Sequence, residues 1–284
     1  MTTQERDNVK PGDAKRWLAR LALGCAAAAW MGTVAAAGQA RADGAVPVVE
    51  VLGAAQPRDE KPYRDLLAAL DAVQRHRALA PASAVRFKVW PRRAGVDMAG
   101  LDVRIVGPHT DIPVLLAADH TFAVPRDAAA VADDAVVRFN RKAGSLAWRA
   151  DVRSPGVPDH ARRLGDLILE CAADVKGDLF AYLHHPVNVL LSKLDDPCRT
   201  VPLNLFNFAD RPVFGITLVA GERRSMLPAA FLHGDVAVPF PDHEDWLAQR
   251  ERVYKVKFKA LYDAGWPDDT LLVFEDMDDG EGGP

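Results

Sequence analysis

Three stretches of the chain carry residue types that could do chemistry. His184-His185 and Asp242-His243-Glu244-Asp245 are compact sets of imidazoles and carboxylates, the groups that hold metal ions or move protons near neutral pH. His243-Glu244 begins like a HExxH zinc helix, but position 247 is Leu, so the second imidazole one turn on is missing. Two neighbouring histidines before Pro186 also suit a plain loop. The acid pairs Asp195-Asp196 and Asp268-Asp269 lie beside Pro197 and Pro267 and read as turns. The third stretch is basic. Arg138, Arg141, Lys142, Arg149, Arg153, Arg162 and Arg163 are interleaved with Trp148 and a Gly/Pro-rich segment. Trp148, Arg149, Arg153, Arg162 and Arg163 are the candidate binding residues: guanidinium forks hold carboxylates or phosphates in pairs of hydrogen bonds, and an indole offers a stacking face for a sugar. The competing reading pairs these arginines with the acids of the protein's own body, as most charge clusters do.

Other chemistries lack their motifs. No GxSxG or SxxK activates a serine, and no GxxxxGK[ST] or GxGxxG cradles a phosphate. The serines at 83, 145, 154, 192 and 225 read as turn residues. No catalytic residue, metal site or cofactor is assigned from these patterns.

The N-terminus is an address. Lys15, Arg16 and Arg20 precede an apolar, Ala-rich run from Leu21 to Ala37, and Ala40-Arg41-Ala42 has the small-x-small form that signal peptidase cuts. Residues 1–42 are therefore expected to be a signal peptide, with the mature chain starting at Asp43. A membrane anchor would need about 20 strongly apolar residues. Lys15-Arg16-Trp17-Leu18 also resembles a twin-arginine export motif with Lys in the first place, whereas the residues before Cys25 fit a lipoprotein cut poorly. Periplasmic or secreted localisation follows, with no membrane span after cleavage. Loss of Cys25 leaves Cys171 and Cys198, which should form a disulfide in an oxidising compartment.

Of 284 residues, 49% are hydrophobic and 26% charged, a globular composition. The net charge of -4 becomes more negative once the basic leader is removed. A mildly acidic body argues against general nucleic-acid binding, which needs positive charge to displace counterions.

The elements that must position these residues are mostly strands. Within 43–83, the run AVPVVEVL suggests an edge strand, and Tyr63, Leu66, Leu67, Leu70 and Val73 recur at helical spacing. From Ala84 the period is two: Val85, Phe87 and Val89 alternate with Arg86, Lys88 and Trp90, and further strands follow at 101–105, 112–117, 121–124, 135–139 and 146–152. The phrase Ile112-Pro113-Val114-Leu115-Leu116, then Asp119, then Phe122-Ala123-Val124-Pro125, with Leu164 to Leu169 as a closing strand, resembles the transthyretin-like fold of carboxypeptidase regulatory-like modules. That resemblance covers residues 84–171 and implies a β-sandwich without catalytic residues of its own. A second β-rich region, 172–275, has strands at 179–183, 187–191, 201–208, 213–219 and 270–274. Residues 242–264 alternate in part like a strand but carry the caps of a helix. An acidic tail, 276–284, is expected to be disordered.

The expected fold class is mainly β with flanking helices (α+β): an antiparallel β-sandwich preceded by an amphipathic helix and followed by a second β-rich region with a late helix. The expected function is an exported cell-envelope protein, a non-catalytic binding or structural β-module whose partner is an anionic envelope polymer or another envelope protein. The alternative is an extracytoplasmic hydrolase assembled from distant residues, with His184, His185, Asp235 and His243 as first candidates.

Overall fold

The computed structural model describes residues 57–180, 185–203, 205–232 and 250–277. The expected signal peptide, the AVPVVEVL run, residues 181–183 of the strand expected at 179–183, His184, Asp235, Asp242 to Asp245 and the tail from 278 onward lie outside the described residues. So does the side chain of His185.

The fold is mainly β with flanking helices, and the described residues form four antiparallel sheets. Strand β1 (Arg58–Pro62) leads into helix α1 (Tyr63–Arg75), and strands β2 (Ala84–Pro91), β3 (Val103–Val106), β4 (Asp111–Val114) and β5 (Thr121–Phe122) follow. After the short helix α2 (Ala128–Ala132), β6 (Val136–Lys142) and β7 (Leu146–Arg153) form the next strands. They assemble as a four-stranded sheet, β1-β6-β3-β4, and a three-stranded sheet, β5-β2-β7. The two inner faces share one core. Phe139 from the first sheet meets Phe122 and Trp148 from the second edge-to-face, at ring separations of 5.6 and 4.9 Å. Helix α1 lays Tyr63, Leu66, Ala69 and Val73 on the same core, as its apolar spacing requires.

Strand β8 (Ala161–Arg163) runs directly into helix α3 (Leu164–Lys176). Leu164 to Leu169, expected as a closing strand, is the start of this helix. The sequence carries the reason: Leu164, Leu167, Ile168 and Cys171 recur at i, i+3, i+4 and i+7, and all four are buried. Gly165 is required at the entry, since a Cβ there would lie 2.5 Å from the carbonyl oxygen of Leu79.

Beyond α3 come helix α4 (His185–Ser192), α5 (Pro197–Thr200), and strands β9 (Leu205–Phe208), β10 (Val213–Ala220) and β11 (Arg223–Met226). Strand β12 (Val253–Val256), helix α6 (Phe258–Asp263) and strand β13 (Leu271–Asp276) close the described chain. Residues 187–191, expected as a strand, are helical in α4. Pro186 occupies the first turn, where its missing N–H costs nothing. Of the late helix expected within 242–264, residues 242–249 lie outside the described residues, Val253 to Val256 pair with Phe208 to Leu205 of β9 as a strand, and Phe258 to Asp263 coil as α6. The remaining strands form a sheet of order β11-β10-β13-β8. They enclose a second core with Ile216, Leu218, Tyr254, Phe258 and Leu272.

Helix α3 belongs to both cores: Leu169 and Ala173 join the first, and Leu164, Leu167, Ile168, Cys171 and Val175 the second. Cys171 is bonded to Cys198, tying α3 to α5 with a Cα–Cα distance of 6.1 Å. Among the described residues, no helix is long and apolar enough to cross a membrane.

Candidate functional site

The central helix also carries three buried acids, four residues apart: Asp166, Glu170 and Asp174. Each accepts a backbone N–H from strand β7 or from Ser154, the residue that follows it. Ala150 N donates to Asp174 Oδ1 at 2.7 Å, Val152 N to Glu170 Oε1 at 2.8 Å and Ser154 N to Asp166 Oδ2 at 2.8 Å. The match is geometric. Four residues of helix advance about 6 Å, and two residues of strand advance about 6.6 Å, so the carboxylates meet alternate amides in step. Among the described residues, strand β7 pairs only with β2 in its sheet, and this ladder closes its other edge, which would otherwise present open donors.

Two arginines pair with two of the three acids. Arg149 Nε donates to Asp174 Oδ2 at 2.5 Å and its Nη1 to the Phe206 carbonyl at 2.7 Å. Arg162 Nη2 donates to Glu170 Oε1 and to the Val152 carbonyl. Burial pushes both carboxyls up, Glu170 to about 7, against the pull of their arginines.

A cleft of about 930 Å³ opens above this interface, between strand β2, the ends of β7 and β8, and the turn after β9. Asp210 bridges it: Lys88 Nζ donates to Oδ1 at 2.6 Å, Arg153 Nη2 to Oδ2 at 2.8 Å and Arg252 Nη1 to its carbonyl at 2.6 Å. Burial raises the Asp210 carboxyl, but Arg153 and Lys88 outweigh it and hold it at about 2. Arg153 also binds Asp151 at 2.9 Å. Arg86, on the same wall, donates to the Thr121 carbonyl, while its Nε is buried without a hydrogen-bond partner. Trp90 stacks on Phe208 at 5.0 Å, with the Lys88 ammonium 5.2 Å from the indole. His120 and His160 also line the cleft. His120 is held at φ 61°, a left-handed conformation uncommon outside glycine and seen at strained functional turns.

The candidate binding residues divide. Arg153 and Arg162 meet in the cleft. Trp148 lies on the opposite face of β7 from Arg149 and Arg153, 3% exposed, with Nε1 donating to Asp59 Oδ1 at 2.6 Å. It fills the first core and offers no stacking face to these arginines. Arg149 is buried against Asp174, and Arg163 reaches away to the Leu79 carbonyl at 2.7 Å. Trp90 is the indole at the cleft. Arg86 and Lys88 were visible as one face of an alternating strand, but nothing local to Asp210 or Arg252 signals their arrival beside it. Among the described residues, no group of three or more His, Cys, Asp or Glu is placed to hold a metal ion.

The chain matches no protein-family model, no curated protein and no solved structure.

Proposed function

We propose that the mature chain is exported to the cell envelope and acts there as a non-catalytic binding module whose cleft holds an anionic ligand. The observation that carries this reading is local: the cleft lining holds as many carboxylates as cations, but two of its guanidinium groups have no carboxylate partner among the described residues. Among the described residues, Arg86 and Arg252 face no carboxylate within ion-pair distance and bond only to backbone carbonyls. Lys88, Arg153 and Arg162 are paired at one edge. A guanidinium keeps its charge at any ordinary pH and prefers an oxyanion to a carbonyl. Trp90, buried and stacked on Phe208, lines the same wall, so its fluorescence can report an occupant. The disulfide and the leader support an oxidising, extracytoplasmic address.

Titration of the mature protein with N-acetylmuramate and with glycerol phosphate, followed by tryptophan fluorescence, tests the cleft. Charge-assisted hydrogen bonds contribute about 1.5–3 kcal/mol each, so Arg86→Ala/Arg252→Ala should weaken binding at least about tenfold. Equal affinity in the folded double variant, or no binding of either probe to the parent protein, overturns the reading. The address has its own check. Mass spectrometry of the exported form should find Asp43 at the N-terminus, and an intact leader on extracytoplasmic protein would refute cleavage after Ala42.

A further inference from the structure

The floor of the cleft is electrically balanced, and the balance constrains what can bind there. Arg162, Arg153 and Lys88 face Glu170, Asp151 and Asp210. Glu170 is surrounded by Arg162 from β8, Asp151 and Arg153 from β7, and Tyr254 from β12. Asp166 and Asp174 lie one turn away on its own helix, already taken by the amides of Ser154 and Ala150 respectively. An anion entering this floor adds negative charge where burial leaves little water to screen it, so it is strongly disfavoured unless another charge is removed.

Arg162 belongs to both sides of the floor. It lines the cleft, and its Nη2 holds Glu170. The residue is only 5% exposed, yet its Nε has no hydrogen-bond partner, and the same is true of the fully buried Tyr254 hydroxyl. An unfilled donor on a buried guanidinium favours an oxygen that can accept from it. Glu170 is the group behind it that can give up its charge. Both the Val152 amide and Arg162 Nη2 donate to its Oε1, so a proton on Oε2 breaks neither bond. Burial already brings this carboxyl to about 7, and the negative potential of an anion bound beside it, poorly screened there, raises it further, so that it is protonated above neutral pH.

We propose that the cleft takes a monoanionic oxyanion group at Arg162 together with one proton from solvent, which settles on Oε2 of Glu170. The proposal rests on the anion-binding reading above and names its ligand class: a singly charged end group such as a sugar carboxylate, bound with no net change of charge at the floor.

N-acetylmuramate is a suitable probe, because a carboxyl with a pKa of about 3.5 stays ionised throughout the range tested. Calorimetric titration at pH 8 in two buffers of different ionisation enthalpy should show close to one proton taken up per ligand. The association constant should fall by up to about tenfold per pH unit between pH 7.5 and 9, the limit for one coupled proton. Glu170→Gln should bind with almost no proton exchange and a flat pH profile. His120 and His160 share the cleft, so His120→Asn/His160→Asn is the control; Asn also tolerates the positive φ at 120. Uptake must persist there, and its loss would assign the proton to the imidazoles and overturn the proposal. Binding of the parent protein without proton exchange refutes the coupling and leaves the anion site standing, whereas no binding refutes both. Should the Gln variant fail to fold, the two-buffer result on the parent protein and the Asn control decides.

Discussion

Asp174→Ala is expected to destabilise the protein by about 3–5 kcal/mol, the usual loss when one member of a buried ion pair is removed. That is a large share of the roughly 5–15 kcal/mol by which domains are stable. The carboxylate does two jobs. It accepts the Ala150 amide on the open edge of β7, and it neutralises Arg149, whose Nε lies 2.5 Å away. Alanine removes the acceptor of the buried Ala150 amide and the carboxylate that balances the charge of buried Arg149, which keeps only its other contacts, such as the Phe206 carbonyl. Asp174→Asn keeps an acceptor for the amide but not the charge, so it should lose less. Arg149→Met/Asp174→Leu should recover part of the alanine loss, because apolar groups of similar volume need no counter-charge. Chemical denaturation of the three variants gives the order Ala below Asn, with the double variant above Ala. A cost under about 1 kcal/mol for Asp174→Ala would mean that the ladder does not hold the strand edge.

The same ladder explains where the sequence misleads. Helix α1 was legible because its buried residues, Tyr63, Leu66, Ala69 and Val73, form one apolar stripe against polar neighbours. Strands β2 and β7 were legible because Phe87 and Val89, and Trp148 and Ala150, alternate with charged residues. Helix α3 breaks this code. Twelve of its thirteen residues are buried, acids included, so the charged positions that normally mark a solvent face mark instead the face docked on β7. Asp166, Glu170 and Asp174 have helical spacing, but their partners are strand amides, which every residue except proline possesses and no side-chain pattern reveals.

The arginines follow the same logic. Arg149 and Arg162 are buried at 6% and 5% exposure because carboxylates on α3 receive them, and from composition alone such residues look like surface. The cleft was legible only by halves. Arg153 and Arg162 lie in the basic stretch, and Arg86 and Lys88 alternate along β2, but Asp210 closes the site from a turn 57 residues beyond Arg153 and 122 beyond Lys88. Tertiary packing of β9 and β12 brings that turn in, through contacts with no local sequence signature. Trp148 was misplaced for a simpler reason: alternation along β7 sends it to the face opposite Arg149.

Removing the disulfide, by Cys171→Ser/Cys198→Ser or by reduction, is expected to cost about 3.5 kcal/mol in the chain-entropy account. The bond closes a loop spanning a sequence separation of 27, and its main effect is to limit the unfolded chain. Its position makes the local consequence larger than at a surface staple. Cys171 sits on α3 between Glu170 and the residues that serve both cores, and Cys198 lies in α5, whose first turn is capped by Asp196 accepting from Arg199 N at 3.2 Å. Without the bond, α5 keeps Pro197 at its start, and Arg199 still stacks on Tyr262, 4.3 Å from the ring centroid. The fold should therefore survive at room temperature with a lower denaturation midpoint, and hydrogen exchange should rise first in α5 and the segment from 185 to 203. Amides of β7 held by α3, at Ala150 and Val152, should remain protected until global unfolding. Equal midpoints for oxidised and reduced protein would show that the two cysteines contribute packing alone, and early exchange at Ala150 would show that the disulfide, not the carboxylate ladder, holds α3 against the sheet.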